Sequence, residues 1–175
     1  IGDQGLLVAV DWDEESLKTA RNKLKQYKNI IFIQENFRNL EQIKKRAQVD
    51  RADGILLDLG ATFFRLTSPG MSFRIDAPLD LRMSRTLIER TAGDLINRLP
   101  VKKLTEILRK YGDEPRAHLI ARAIGKRRKQ KPIKTTFELV EIIRSAIPPR
   151  RRRGRLHFAT KTFQAFRILT NLELE

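Results

Sequence analysis

The chain has 175 residues, of which 41% are hydrophobic, so it can form a packed domain and is not broadly disordered. It contains no cysteine, which excludes disulfides and cysteine-ligated metals, and no apolar run approaches the roughly 20 residues of a membrane-spanning helix. The net charge of +15 favours a polyanionic partner, most often a nucleic acid.

The positive charge is concentrated in the second half of the chain. Residues 1–80 hold 12 Lys/Arg and 12 Asp/Glu, whereas residues 81–175 hold 24 and 9. A solvated basic surface or a membrane-surface patch would explain a general excess equally well, but the two dense runs at 126–131 and 150–155 favour phosphate binding. The side chains predicted to contact nucleic acid are Lys126, Arg127, Arg128, Lys129, Lys131, Arg150, Arg151, Arg152, Arg153 and Arg155.

The first 60 residues alternate between strand and helix patterns. Amphipathic stretches at 14–27 and 40–49 predict helices, and apolar runs predict buried strands at 5–11, 29–36 and 53–60. This alternation indicates a parallel sheet with right-handed crossovers, in which ligands bind at the carboxyl ends of the strands.

Three residues follow or end these predicted strands. Asp11 can accept hydrogen bonds from both hydroxyls of an adenosine ribose, or it can cap the next helix, although Asp13 fills that role equally well. Phe37 can stack on an adenine ring, but a core position is the commoner outcome for a lone aromatic residue. Asp58 can hold a cofactor or accept a hydrogen bond from an amine, or it is only the polar end of an apolar run.

Residues 60–85 lack periodicity, and a loop of this length in a compact domain is usually functional or disordered; its many apolar residues argue against disorder. Asp113 is the expected N-cap of one helix in the second half, and Thr135 with Glu138 forms an expected capping box on the next. The five helices predicted in this half span residues 91–99, 100–112, 113–131, 135–147 and 157–174.

The pattern alone leaves two classes of protein open. An acidic residue after a strand of this type is shared by nucleotide-dependent oxidoreductases and by adenosylmethionine-dependent methyltransferases, but an oxidoreductase does not explain the basic helical half. No glycine-rich turn precedes Asp11 and no strand closes the sheet. We therefore expect the chain to be incomplete at both ends.

Five segments resemble a known family in order and approximate spacing: DGILLDLG, GMSFRIDAPLDLRM, YGDEPRAHLIARAI, KPIKTTFELVEII and HFATKTFQAFRI. The family is the bacterial 16S ribosomal RNA cytosine-N4 methyltransferases of MraW type, and the resemblance extends from about Leu7 to Glu173. It implies an α/β, class I methyltransferase-like (Rossmann-like) parallel sheet with an inserted, basic, all-helical domain. The implied parts are a cofactor-binding part at 1–85, an RNA-recognition domain at 86–156 and a helix at 157–175 that returns to the methyltransferase domain.

The resemblance also implies the chemistry. It implies transfer of a methyl group from S-adenosylmethionine to N4 of a cytidine in small-subunit ribosomal RNA, free or in an assembling subunit, in the bacterial cytoplasm or an organelle. It places Asp11, Phe37 and Asp58 at the cofactor and assigns neither a metal nor a catalytic residue. The family's glycine-rich cofactor segment would lie before Ile1.

One segment departs from the family pattern. ATFFRL follows DLG, and Arg65 stands where the family has a glutamine that helps to bind the cofactor. This departure motivates a second hypothesis, namely an RNA-binding ribosome-assembly factor of the same fold with weakened or lost catalysis.

Overall fold

The computed structural model describes residues 1–2, 4–58, 67–152 and 156–174, except the side chain of Arg151. The chain divides into two compact units, of which the first comprises 1–60 with 83–87 and the second 61–82 with 88–175. The domain boundaries expected at residues 85 and 156 remain a prediction. Among the helices in the described ranges, none has the length and apolar character needed to cross a membrane.

The first unit contains a parallel pair of strands with helices beside it. Its elements are β1 (Leu7–Asp11), α1 (Glu14–Lys23), β2 (Ile30–Gln34) and α2 (Leu40–Ala47). β1 pairs with β2 in parallel, and this register sets Asp11 opposite Gln34. Ile33 on β2 packs in a small core with Ile43 and Ala47 of α2. The predicted parallel arrangement of the first two strands is thus confirmed.

The strand predicted at 53–60 is absent from the described part of that segment. Residues 55–58 adopt no strand, and the side chains of Ile55, Leu56 and Leu57 are 70%, 93% and 60% exposed. An extended segment is stabilised by hydrogen bonds to a neighbouring strand. Among the described residues the sheet contains β1 and β2 alone, so the apolar run lacks the partner that would hold it as a strand.

The second unit is helical. Its helices occur where the sequence predicts them, with ends shifted by a few residues: α3 (Ala92–Arg98), α4 (Val101–Gly112), α5 (Ala117–Arg128), α6 (Thr136–Ala146) and α7 (Thr160–Asn171), with a 3-10 turn at Pro149–Arg151. α4 packs against both α5 and α7, α5 packs against α6, and α3 contacts α5 and α7. Ile96, Leu104, Ile120, Leu139 and Phe166 are among its fully buried side chains.

A glycine permits the close approach of α4 to α7. A Cβ atom at Gly112 would lie 2.5 Å from the carbonyl oxygen of Lys161 and 3.1 Å from Cβ of Ala165. Because the first of these neighbours is backbone, a larger residue would force the two helices apart. The last turn of α4 therefore requires glycine at this position.

The capping box predicted on α6 is confirmed. The Thr135 hydroxyl accepts a hydrogen bond from the backbone N–H of Glu138. The Glu138 carboxylate in turn accepts hydrogen bonds from the N–H groups of Lys134 (2.7 Å) and Thr135 (3.2 Å). These bonds lower the pKa of Glu138, and the bond from Lys134 has the largest effect. α3 begins with an equivalent box formed by Thr91 and Asp94.

The predicted N-cap at Asp113 is wrong. Asp113 has a φ of +46° and ends α4, with its N–H donated to the carbonyl of Arg109. The buried carboxylate of Glu114 instead accepts a hydrogen bond from the N–H of Arg116, just before α5. Asp113, in the left-handed conformation, therefore ends α4, and the Glu114 side chain stabilises the start of α5.

The PLDLRM segment is held in an unusual backbone conformation. Leu81 has a φ of +57°, which is a strained region for a residue other than glycine. Its side chain is completely buried, and its carbonyl oxygen accepts a hydrogen bond from Nδ2 of Asn171 (2.8 Å) at the end of α7. On either side of it, Asp80 and Arg82 form a bidentate pair with distances of 2.6 and 3.1 Å. The bond from Asn171 thus ties Leu81 to the end of α7, and the ion pair holds the local turn.

Candidate functional site

Asp11 lies at the carboxyl edge of the parallel pair. Its Oδ1 atom accepts a hydrogen bond from the backbone N–H of Asp13 (2.9 Å). Asp13 occupies the N-cap position of α1 and accepts a hydrogen bond from the Ser16 hydroxyl (2.8 Å). The N-cap position that Asp11 could have taken is therefore occupied by Asp13, whose side chain bonds the Ser16 hydroxyl and makes no capping bond to a backbone N–H. Asp11 occupies the edge at which α/β folds bind their ligands.

A hydrogen-bonded turn follows β2 at the same edge. The Glu35 carboxylate accepts hydrogen bonds from the Asn39 side chain (2.9 Å) and the Asn36 N–H (2.8 Å), while the Asn36 side chain accepts one from the N–H of Arg38 (3.0 Å). The bonds from Asn39 and Asn36 lower the pKa of Glu35. Glu35 is consequently charged at neutral pH, and the turn carrying Phe37 is held by several side chains.

Phe37 does not lie in the core, because its side chain is 46% exposed. The core position that pattern analysis favoured is therefore wrong, and the ring is accessible for stacking on a planar ligand. Asp11 ends β1 opposite Gln34, the last residue of β2, and Phe37 lies in the turn that follows β2.

Asp58 is exposed and follows the unpaired apolar segment. The pairing of β1 with β2 does not include it, so its role at the cofactor remains a prediction. Arg65 and the rest of the ATFFRL segment lie outside the described residues.

Sequence reasoning missed one residue that organises this edge. The side-chain amide of Gln34 donates hydrogen bonds to the carbonyl of Trp12 (3.2 Å) and to the hydroxyl of Thr86 (3.0 Å). It thereby joins the end of β2 to the residue after Asp11. The change from apolar to polar residues in IIFIQEN is the sequence signal that could have identified Gln34.

Several side chains of the basic run at 126–131 have intramolecular partners. Arg128 donates a hydrogen bond of 2.6 Å to the carbonyl of Ile96. Arg127 donates one to the carbonyl of Lys131 (3.1 Å), and the Glu138 carboxylate lies 3.4 Å from Lys131 and 4.0 Å from Arg127. Some of these basic side chains therefore stabilise the packing of α5 against α3 and α6.

The remaining lysines of this run, Lys126 and Lys129, are exposed. In the second run Arg150 is also exposed, whereas Nε of Arg152 donates a hydrogen bond to the carbonyl of Ile147 (2.8 Å). Among the described residues, some basic side chains of the two runs thus face solvent and others bond to groups of the chain itself. Three predicted positions lie outside this description, namely the side chain of Arg151 and residues Arg153 and Arg155.

The chain is similar to a family of known proteins along almost its whole length. Residues 2–175 match the model of the MraW methylase family. A relative named ribosomal RNA small subunit methyltransferase H, from Clostridium botulinum (strain Kyoto / Type A2), is 42% identical over 178 residues, which cover 100% of this chain and 57% of the relative.

Relatives of the same name occur in other bacteria. That of Halothermothrix orenii is 40% identical over 176 residues, covering 99% of this chain and 56% of the relative. That of Persephonella marina is 43% identical over 171 residues, covering 97% and 58%. The chain thus spans somewhat more than half the length of these relatives. The family has the class I methyltransferase fold, and the parallel strand pair with its flanking helices is part of that fold. The chain belongs to the MraW methylase family.

Proposed function

We propose that the protein transfers a methyl group from S-adenosylmethionine to N4 of a cytidine in small-subunit ribosomal RNA, in the cytoplasm. The relatives that share about 40% identity are named ribosomal RNA small subunit methyltransferases. The observation that supports the proposal is the parallel pairing of β1 with β2, with Asp11 at the end of β1 and an exposed Phe37 ring in the turn after β2. Exposed lysines on the helical unit supply contacts to phosphate.

The proposal gives a role to each of three side chains, Asp11, Phe37 and Asp58. The Asp11 carboxylate binds the ribose hydroxyls of the cofactor, and the Phe37 ring stacks on its adenine. Asp58 either binds the cationic end of the cofactor or accepts a hydrogen bond from the amine that is methylated. The lone pair of this exocyclic amine is delocalised into the ring, so the nucleophile is weak. Accurate in-line placement and a hydrogen-bond acceptor then supply most of the rate enhancement.

The proposed methyl transfer balances in atoms and in charge. The nitrogen lone pair attacks the methyl carbon, the bond from carbon to the sulfonium sulfur breaks, and the sulfur retains the electron pair as a neutral thioether. The methylated amine then loses one proton.

A methyl-transfer assay tests the proposal. The full-length protein is incubated with S-adenosylmethionine carrying a labelled methyl group and with either free small-subunit ribosomal RNA or assembled small subunits, and the RNA is digested to nucleosides. We expect label in N4-methylcytidine. If the protein binds S-adenosylmethionine and RNA but transfers no methyl group to either substrate, the methyltransferase proposal fails. The ATFFRL departure then favours an assembly factor.

Neutralising Lys126 and Lys129 tests the RNA contact of the helical unit. The double variant Lys126→Gln/Lys129→Gln is expected to bind RNA more weakly, and the slope of log K against log salt should fall by about 0.7 per lost phosphate contact on single strands. Fluorescence anisotropy titrations at several salt concentrations measure this slope.

Arg128→Gln is the matched control. It removes one positive charge, against two in the double variant, and leaves the part-buried carbonyl of Ile96 without this partner. It should therefore lower the free energy of unfolding by about 1–3 kcal/mol and change the salt slope less for each charge removed. A salt slope that is unaltered in the double variant would show that these lysines do not contact phosphate.

A further inference from the structure

Three aromatic rings form a stack at the surface of the helical unit. The imidazole of His157 lies nearly parallel to the ring of Phe73, with centroids 4.7 Å apart and an interplanar angle of 10°. The ring of Phe158 lies 4.2 Å from the imidazole, tilted by 33°. Phe163 of α7, which is buried, contacts Phe73 edge to face at 5.4 Å. We call Phe73, His157 and Phe158 the ring stack.

The ring stack contacts a buried phenylalanine on one side and is accessible to solvent on the other. Phe163 ties it to the core, while His157 is exposed and Phe73 and Phe158 are partly exposed. The backbone N–H of Ala159 donates a hydrogen bond of 3.3 Å to Nδ1 of His157, so that nitrogen carries no proton. The imidazole orientation is therefore set by the start of α7 itself.

The surroundings of His157 favour the neutral imidazole. Desolvation lowers the pKa of His157, and the neighbouring charges of Arg144 and Arg74 lower it further. A neutral ring is suited to stacking, whereas an imidazolium would be suited to binding phosphate directly. The ring stack thus presents π faces without a charge of its own.

Two arginines border the ring stack. The guanidinium carbon of Arg144 lies 5.9 Å from the centre of the Phe158 ring, and both Arg144 and Arg74 are exposed. Arg144 also lies 3.1 Å from the Glu141 carboxylate, but an exposed pair of this kind is weak and readily exchanged. Stacked aromatics bordered by exposed cations are the combination that binds single-stranded nucleic acids.

We propose that the ring stack binds an unpaired nucleobase of the RNA, with Arg144 and Arg74 contacting the adjacent phosphates. This inference rests on the proposed function for its RNA substrate, and it adds the site at which a base outside a duplex is held. Stacking accepts any base because every base has a π face. The ring stack therefore contributes affinity for unpaired strands, without reading their sequence.

Binding of short oligoribonucleotides to the full-length protein tests the inference. Phe158→Leu removes the aromatic face but keeps an apolar side chain. It should weaken binding of a single strand by roughly 5- to 100-fold and change binding of a duplex much less. His157→Phe should retain binding because it keeps the stack, whereas His157→Ala should lose it. Thermal unfolding confirms that each variant is folded.

Charge variants separate stacking from phosphate contact. Phe158→Leu should leave the salt slope unchanged, whereas Arg144→Gln should reduce it by about 0.7. Arg122→Gln, which removes an exposed arginine from α5, is the matched control and should leave the slope unchanged.

Two results would overturn the inference. Binding of single strands within twofold of the wild type in both Phe158→Leu and His157→Ala would assign the rings to packing or to a protein contact. Equal weakening of single-strand and duplex binding would exclude recognition of an unpaired base. Both results leave the proposed function standing if the wild type binds and methylates RNA, whereas a wild type that binds no RNA would overturn both proposals.

Discussion

Replacing Asp11 by asparagine is expected to weaken the binding of S-adenosylmethionine to the full-length protein by roughly 10- to 100-fold. Asp11 stands at the carboxyl edge of the β1–β2 pair, where its carboxylate can accept hydrogen bonds from both ribose hydroxyls. Hydrogen bonds to a charged acceptor contribute about 1.5–3 kcal/mol each. The asparagine keeps the size of the side chain and one oxygen for the N–H of Asp13, so the turn itself should persist.

Isothermal titration calorimetry with S-adenosylmethionine measures this effect. Asp50→Asn is the matched control, because it removes an exposed carboxylate of the same unit that follows α2 and is outside the proposed site. The control should bind as the wild type does. Affinity of the Asp11 variant within twofold of the wild type would show that Asp11 does not hold the ribose.

Replacing Phe166 by alanine is expected to lower the free energy of unfolding by about 3–5 kcal/mol. Phe166 is completely buried on α7, the helix that packs against α3 and α4. Its truncation removes apolar contacts and leaves a cavity that the surrounding helices fill only in part. Urea unfolding of the full-length protein, followed by circular dichroism, measures the loss.

Two further variants make this stability test specific. Phe166→Leu retains most of the volume and should cost only about 1–2 kcal/mol, and it remains informative if the alanine variant does not fold. Phe137→Ala removes a phenylalanine that is 44% exposed on α6, and its effect should stay within about 0.5 kcal/mol. Similar losses in Phe137→Ala and Phe166→Ala would contradict the assignment of Phe166 to the core.

The helical half was predictable because its signals are local. The stripe of apolar residues at 100–112 predicts α4 (Val101–Gly112), and the spacing of Thr135 and Glu138 predicts the capping box that begins α6. Each signal involves residues within a few positions of one another. The N-cap at Asp113 was mispredicted because its side-chain type suits a cap, while its backbone is committed to the left-handed turn that ends α4.

The candidate site was only partly predictable. The ends of the apolar runs located Asp11 and Phe37, but the exposure of the Phe37 ring depends on a turn built by Glu35 and its hydrogen bonds. Strand formation at 55–58 requires a backbone partner elsewhere in the fold, so the apolar pattern of those residues could not decide it.

The sequence by itself determined the order of the helices and of the first two strands, the family and the distribution of charge, since periodicity, motifs and composition are carried by neighbouring residues. Only the tertiary structure decided which charges face solvent, because the guanidinium of Arg128 is bound by a carbonyl of another helix, that of Ile96. It also decided that Phe73 and His157 share one stack. These two residues lie far apart in the chain, and the packing of α7 against the helical core brings their rings into contact.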